Sequence, residues 1–193
     1  MDNNTNRITL KLAVLGDPFV GKTSLINKFM GKDFSKRYQK TFGSDISFKH
    51  IDKKDSNNII YKISYSIWDI YGEATYEELT KQFLLGSQAI IIIYDVTNHV
   101  SFDNVLKWVK TADKSLNLNK VIVVLVANKI DLRSDTPSSL IWEDENSLFV
   151  KLTKEYSLNT EYFHLIETSA KEGTNVNEVF ELISKTLIDH FLD

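Results

Sequence analysis

Gly16-Asp17-Pro18-Phe19-Val20-Gly21-Lys22-Thr23 reads G-x-x-x-x-G-K-[ST], the spacing of a loop that cradles phosphate. Ile8–Leu15, just before it, alternates and then runs apolar, as a buried strand does, and Lys22–Met30 after it reads as a helix. A loop between a strand end and a helix N-terminus turns its backbone N–H groups inward, and the helix dipole favours negative charge there. In that setting Lys22 reaches the terminal phosphates and the Thr23 hydroxyl ligates Mg²⁺. Read by itself, the octet is also compatible with a glycine turn followed by a lysine. Three more segments decide against chance.

Composition bounds the rest. A length of 193 residues suits a single domain with a sizeable core, here residues 7–193 after a loose tail at 1–6. Apolar residues at 42% and charged residues at 25% fit an ordinary water-soluble protein, and a net charge of −3 gives no footprint for nucleic acid. The chain has no cysteine, which excludes disulfides, thiolate metal sites, thiol catalysis and any cysteine-linked lipid anchor. Ala89–Tyr94 and Val121–Ala127 are too short to span a bilayer, and Met1–Asn6 lacks a signal-peptide apolar region. His50, His99, His164 and His190 are scattered without ligand spacing.

Outward from the loop, Phe42–Ile51 and Ile59–Trp68 predict two strands joined by a turn-rich linker, an antiparallel hairpin. Glu73–Leu85 predicts a helix, and Ala89–Val96 a strand covered on both faces. Phe102, Val105, Leu106 and Val109 recur at helical spacing behind Ser101. Val121–Ala127 predicts the next buried strand and residues 133–141 a loop. Glu143-Asp144-Glu145 opens another helix, Tyr162–Ile166 is a short strand, and Val176 to Leu187 carry the stripe of a final helix. The fold class is α/β: a six-stranded, mostly parallel sheet with one antiparallel edge strand and helices on both faces. Ligands in such sheets sit at the C-terminal strand ends, where Gly16 lies.

The three supporting segments lie at such ends. Asp69-Ile70-Tyr71-Gly72 closes the third strand; an Asp there can hold the Mg²⁺ shell and a Gly N–H can meet a γ-phosphate. Asn128-Lys129-Ile130-Asp131 follows the Val121 strand, and a carboxylate there can accept two N–H bonds from a guanine edge but finds no such pair on adenine. Thr168-Ser169-Ala170-Lys171 can close over the base from the other side.

With these motifs in order, the sequence resembles the Ras superfamily of small GTPases, most closely the Rab branch, over roughly residues 8–191. Thr41-Phe42-Gly43-Ser44-Asp45-Ile46, and Tyr94-Asp95-Val96-Thr97 followed by Ser101-Phe102, have Rab texture. The resemblance implies the phosphate-loop small-GTPase fold, bound GTP or GDP and Mg²⁺. It implies nucleotide contacts from Gly16, Asp17, Pro18, Phe19, Val20, Gly21, Lys22, Thr23, Ser24, Gly72, Asn128, Lys129, Asp131, Ser169, Ala170 and Lys171. It further implies that Phe34 packs on the guanine, that Tyr38 covers the phosphates, and that Thr23, Thr41 and Asp69 serve the metal. Lys22, Gly72 and Glu73 stand where the catalytic groups belong. Exchange factors, GTPase-activating proteins and effectors would meet a monomer at the switch regions, with Ile46, Trp68 and Phe83 in the place of an aromatic effector-reading triad. Each of these three also suits ordinary packing.

The departures from the family carry their own expectations. Pro18 and Phe19 make the loop bulkier near the γ-phosphate than in Ras, Ile46 replaces a usual Phe, and Tyr71 replaces a small alanine. Glu73 replaces the glutamine that orients the attacking water and brings negative charge toward an anionic phosphate. Slow intrinsic hydrolysis is expected. The alternative is a guanine-nucleotide-binding scaffold with little hydrolysis, and turnover discriminates the two. A generic ATPase or kinase reading fails on Asn128–Asp131. The segment from Asp131 to Thr168 is longer than in typical Rab proteins; Trp142 within it is a partner anchor or, more plainly, a helix cap. No prenylation motif follows the final helix. A cytoplasmic location is expected, with peripheral membrane association only through partners or a tail beyond this chain.

Overall fold

The computed structural model describes residues 5–33, 44–55, 57–71, 77–135, 142–156 and 158–191. In chain order its elements are β1 (Thr5–Gly16), α1 (Lys22–Phe29), β2 (Ser44–Lys54), β3 (Ile60–Ile70), α2 (Glu77–Leu84), β4 (Ala89–Asp95), α3 (His99–Asp103), α4 (Val105–Asp113), β5 (Ile122–Asn128), α5 (Trp142–Glu155), β6 (Phe163–Thr168) and α6 (Val176–Phe191). The strands form one sheet in the order β2-β3-β1-β4-β5-β6. Every neighbouring pair is parallel except β2 with β3, which run antiparallel. This is the architecture that the alternation of strand and helix patterns predicts.

Side-chain alternation sorts the sheet into two cores. Leu10, Leu12 and Val14 of β1 join Ile91, Ile93, Val124 and Val126 beneath α1 and α6. Ala13 and Leu15 point the other way and join Ile90, Ile92, Val123 and Leu125 beneath α2, α4 and α5. β1 lies between β3 and β4, so the chain leaves its C-terminal end toward one side of the sheet and later returns on the other. That reversal opens the crevice in which such sheets bind ligands, and the Gly16–Thr23 loop sits at it.

Helix α1 buries Leu25, Ile26 and Phe29. The Phe29 ring stacks on Phe180 of α6 at 3.5 Å and meets Tyr65 edge-on at 5.9 Å. The helix ends where Gly31 takes φ 78°. Gly31 N–H then donates to Lys28 O at 3.0 Å and Lys32 N–H to Asn27 O at 2.9 Å, the paired bonds of a left-handed glycine stop.

The Tyr65 hydroxyl lies 2.8 Å from Phe180 O and 2.6 Å from Ser184 Oγ. Burial pushes its pKa up to about 12. Tyr65→Phe is expected to lower the unfolding free energy by only about 1 kcal/mol in urea denaturation. The reason is that Ser184 Oγ itself donates to Phe180 O at 2.8 Å, so no acceptor is orphaned. A loss near 3 kcal/mol, the scale of an orphaned buried group, would show that this reserve donor does not serve.

Several boundaries differ from the sequence expectation. The N-terminal tail was expected to reach residue 6, but Thr5 and Asn6 already pair with Ile60 and Tyr61 in β1. The helix expected from Phe102 to Val109 is two helices that meet at Asn104, and its cap is Asn98, which accepts from the N–H groups of Val100 and Ser101. Part of the expected 133–141 loop is a 3-10 turn, Ile130–Asp135. The predicted strand start at Phe42 and helix start at Glu73 lie outside the described residues. Among the described residues, no helix is long and apolar enough to cross a membrane.

Candidate functional site

Two of the motif glycines are fixed by close approach. Gly16 has φ 138°, and a Cβ there would sit 2.2 Å from Ile93 O of β4; Gly21 has φ 103°, and a Cβ there would sit 2.3 Å from Asn128 Nδ2. Between them Phe19 holds φ 68° with its side chain 65% exposed, a left-handed conformation that costs a non-glycine residue about 1 kcal/mol. Val20 is buried beneath the loop.

Lys22 turns back over this loop. Its ammonium is buried and donates to Gly16 O and Asp17 O, each at 2.8 Å. Desolvation pulls its pKa down to about 8, against the opposing pull of the Asp69 and Asp17 carboxylates. One residue on, the Thr23 hydroxyl donates to Asp69 Oδ2 at the end of β3. The other carboxylate oxygen, Asp69 Oδ1, is buried without a hydrogen-bond partner among the described residues. Burial pushes the Asp69 carboxyl upward, and the Thr23 hydroxyl and Lys22 oppose this. An unsatisfied buried anionic oxygen beside a threonine hydroxyl is a donor set that fits a hard divalent cation. Ser24 follows in the first turn of α1.

Beyond the loop, the ends of β5 and β6 converge. Asn128 is 1% exposed, and both ends of its amide are engaged. Nδ2 donates to Val20 O at 2.8 Å, while Oδ1 accepts from Thr168 Oγ1 and Ala170 N–H, each at 3.0 Å. Its side chain thus ties three loops together, a role that its spacing alone does not reveal. Lys129 takes φ 68° and pairs with Asp95 Oδ2 at 2.6 Å. Asp131 accepts from Ser169 Oγ at 2.6 Å and from Lys171 Nζ at 3.2 Å. Desolvation would raise its carboxyl, but these hydrogen bonds outweigh it and hold the group below the usual range.

The Asp17 carboxylate accepts hydrogen bonds from Asn104 and Trp108 of the α3–α4 segment. Sequence reading gave no sign of this partnership. Ile46 of β2 stands in register with Trp68 of β3, whose ring lies 6.0 Å from that of Phe83. The three expected triad positions therefore meet. Phe48, 66% exposed, extends the same face of β2. Tyr71 is buried. Phe34, Tyr38, Thr41, Gly72 and Glu73 lie outside the described residues, as does the side chain of Trp142.

Residues 11–189 match the sequence profile of the Ras family. The chain is 30% identical over 191 residues to the "Ras-related protein Rab-5A" of Dictyostelium discoideum, covering 97% of this chain and 85% of that one. It is 36% identical over 183 residues to the "Ras-related protein Rab7" of Pisum sativum, covering 93% and 82%. It is 34% identical over 185 residues to the "Ras-related protein RABG3f" of Arabidopsis thaliana, again covering 93% and 82%. None of these likenesses supports a scaffold without hydrolysis.

Proposed function

Because the chain belongs to the Ras family and is a Rab-like small GTPase, we propose that it works as a guanine-nucleotide switch through the residues assembled around Lys22. Its substrate is GTP and its products are GDP and phosphate. The observation that carries the reading is the cluster at the mouth of β1 and β3. Among the described residues, a buried ammonium there donates to the carbonyls of its own loop, beside a buried carboxylate oxygen with no hydrogen-bond partner.

In this reading the backbone N–H groups of Phe19 to Thr23 and the Lys22 ammonium bind the β- and γ-phosphates, Pro18, which has no N–H, shapes the loop, and Ser24 adds to the pocket from α1. Thr23 and Asp69 hold Mg²⁺, with Thr41 as the switch ligand; the cation, when bound, neutralises charge on the phosphates. Asp131 takes the two N–H groups of the guanine edge, and Lys129, Ser169, Ala170 and Lys171 wall the base. Phe34 covers the base and Tyr38 the phosphates. Gly72 donates its N–H to the γ-phosphate, and Glu73 sets the attacking water, at a low rate because its charge approaches another anion. Asn128 joins the Val20 carbonyl to the end of β6 with one Nδ2 hydrogen and Oδ1, and its second Nδ2 hydrogen serves the base. Residues 7–193 act as one nucleotide-binding domain.

Exchange factors, GTPase-activating proteins and effectors would read the switch regions, with Ile46, Trp68 and Phe83 as the apolar contact. A role in vesicle traffic or signalling follows from the branch, with membrane contact through such partners. The test is the nucleotide released when the purified protein is denatured and its extract separated by chromatography. GDP is the expected content, because the protein binds guanine nucleotide and turns GTP over. Bound GTP alone would remove hydrolysis from the reading, and an empty site would remove tight binding.

A further inference from the structure

The phosphate loop is tethered from outside the nucleotide motifs. Asn104 Nδ2 donates to Asp17 Oδ2 at 2.7 Å, and Trp108 Nε1 donates to Asp17 Oδ1 at 2.8 Å. The two donors are four residues apart at the start of α4 and so share one helix face. Asn104 sits at the N-cap of α4, where an asparagine side chain ordinarily accepts from the first-turn N–H groups. It makes no such bond. Asn98, at the start of α3, does cap its helix in that way. The Asn104 amide is therefore spent on the loop instead of on its own helix. Trp108 is 4% exposed, its ring packed in the core beneath α4, and its lone polar atom is the N–H that reaches Asp17.

Asp17 links this helix to the ammonium, because its backbone carbonyl is one of the two that hold Lys22. A carboxylate in a loop built for anions is unfavourable by like charge. Two neutral donors hold it against α4. The far shoulder of the loop is held separately, by Asn128 on Val20 O.

We propose that Asn104 and Trp108 are positioning residues for the phosphate loop: by pinning the Asp17 carboxylate to α4 they set the loop that holds Lys22, and so the rate at which bound nucleotide leaves. The inference rests on the nucleotide reading above. Neither residue belongs to that reading's binding set, and the pair makes α4 a lever on nucleotide retention.

The test is a double-mutant cycle on the full chain, read by dissociation of fluorescent mant-GDP. Trp108→Phe keeps the ring and removes the N–H donor, and is expected to release nucleotide about tenfold faster, the scale of one lost bond to a charged acceptor. Asp17→Ala removes both the tether and the charge. In that background Trp108→Phe is expected to add less than about twofold. A second readout needs no nucleotide. The Trp108 indole proton, identified in NMR spectra by its loss in Trp108→Phe, is expected downfield and slow to exchange, and both features are expected to vanish in Asp17→Ala. Equal acceleration by Trp108→Phe in both backgrounds would mean general loosening and overturn the proposal, as would an unchanged release rate. A wild-type protein that holds no mant-GDP would overturn the nucleotide reading. An indole signal indifferent to Asp17, with mant-GDP still held, would overturn the tether alone.

Discussion

Lys22→Met is expected to weaken GDP binding by between about 10² and 10³-fold, the loss of charge-assisted bonds to two phosphate groups. A lysine has three donors, and here two go to the carbonyls of Gly16 and Asp17. Desolvation draws its pKa from 10.5 to about 8. That depression is a folding cost of about 3 kcal/mol, present in full below about pH 8 and fading as pH rises toward the unfolded value. The buried charge is thus a burden that an anionic ligand relieves. Methionine keeps the apolar stem and drops both the burden and the two bonds to the loop carbonyls, effects of opposite sign. The nucleotide-free variant should therefore melt within a few degrees of the wild type while its mant-GDP affinity collapses. A variant that binds GDP as the wild type does would remove Lys22 from the phosphate site. One that fails to fold would show that the carbonyls of Gly16 and Asp17 need their donor more than the chain suffers from the charge.

Much of this site was legible because it is local. Gly16–Thr23 is one octet, and its two glycines prove to be where a Cβ would strike Ile93 O and Asn128 Nδ2. The alternation of Leu10, Leu12 and Val14 against Ala13 and Leu15 is the two-sided sheet written in order. The break at Asn104 was less legible. Phe102, Val105, Leu106 and Val109 keep helical spacing across it, and only the two asparagines at 98 and 104 mark the starts of α3 and α4. The bond from Trp108 to Asp17 spans 91 positions, and that from Asn104 spans 87. A Trp on the buried stripe of an amphipathic helix reads as core, which it is, and nothing in the spacing says where its N–H points. Asn128 carries the same lesson. Its motif suggests the base, and the geometry adds that one Nδ2 hydrogen goes to Val20 O while Oδ1 accepts from Thr168 and Ala170.

The base side of the site yields the second large effect. Asp131→Asn is expected to cost at least about a hundredfold in GDP affinity and to favour xanthosine diphosphate over GDP. The Asp131 carboxylate uses one lone pair on Oδ1 for Ser169 and one on Oδ2 for Lys171. The carboxylate offers about four acceptor sites in all, so capacity remains beyond these two bonds for N–H donors on a guanine edge. Ser169 and Lys171 hold the carboxyl ionised, against the desolvation that would raise it. An asparagine puts an NH₂ in place of one oxygen, so a donor confronts a donor, and a buried polar group left without a partner costs more than a missing bond would have contributed. A base with a carbonyl where guanine carries its amine restores the match. The measurement is displacement of mant-GDP by GDP and by xanthosine diphosphate from the wild type and the variant. The ratio of the two affinities is what counts, because a general loss of stability would lower both and leave their ratio alone. An inverted ratio would assign Asp131 to the base edge. An unchanged ratio with weaker binding of both would confine Asp131 to bracing Ser169 and Lys171, and guanine selection would have to come from another group.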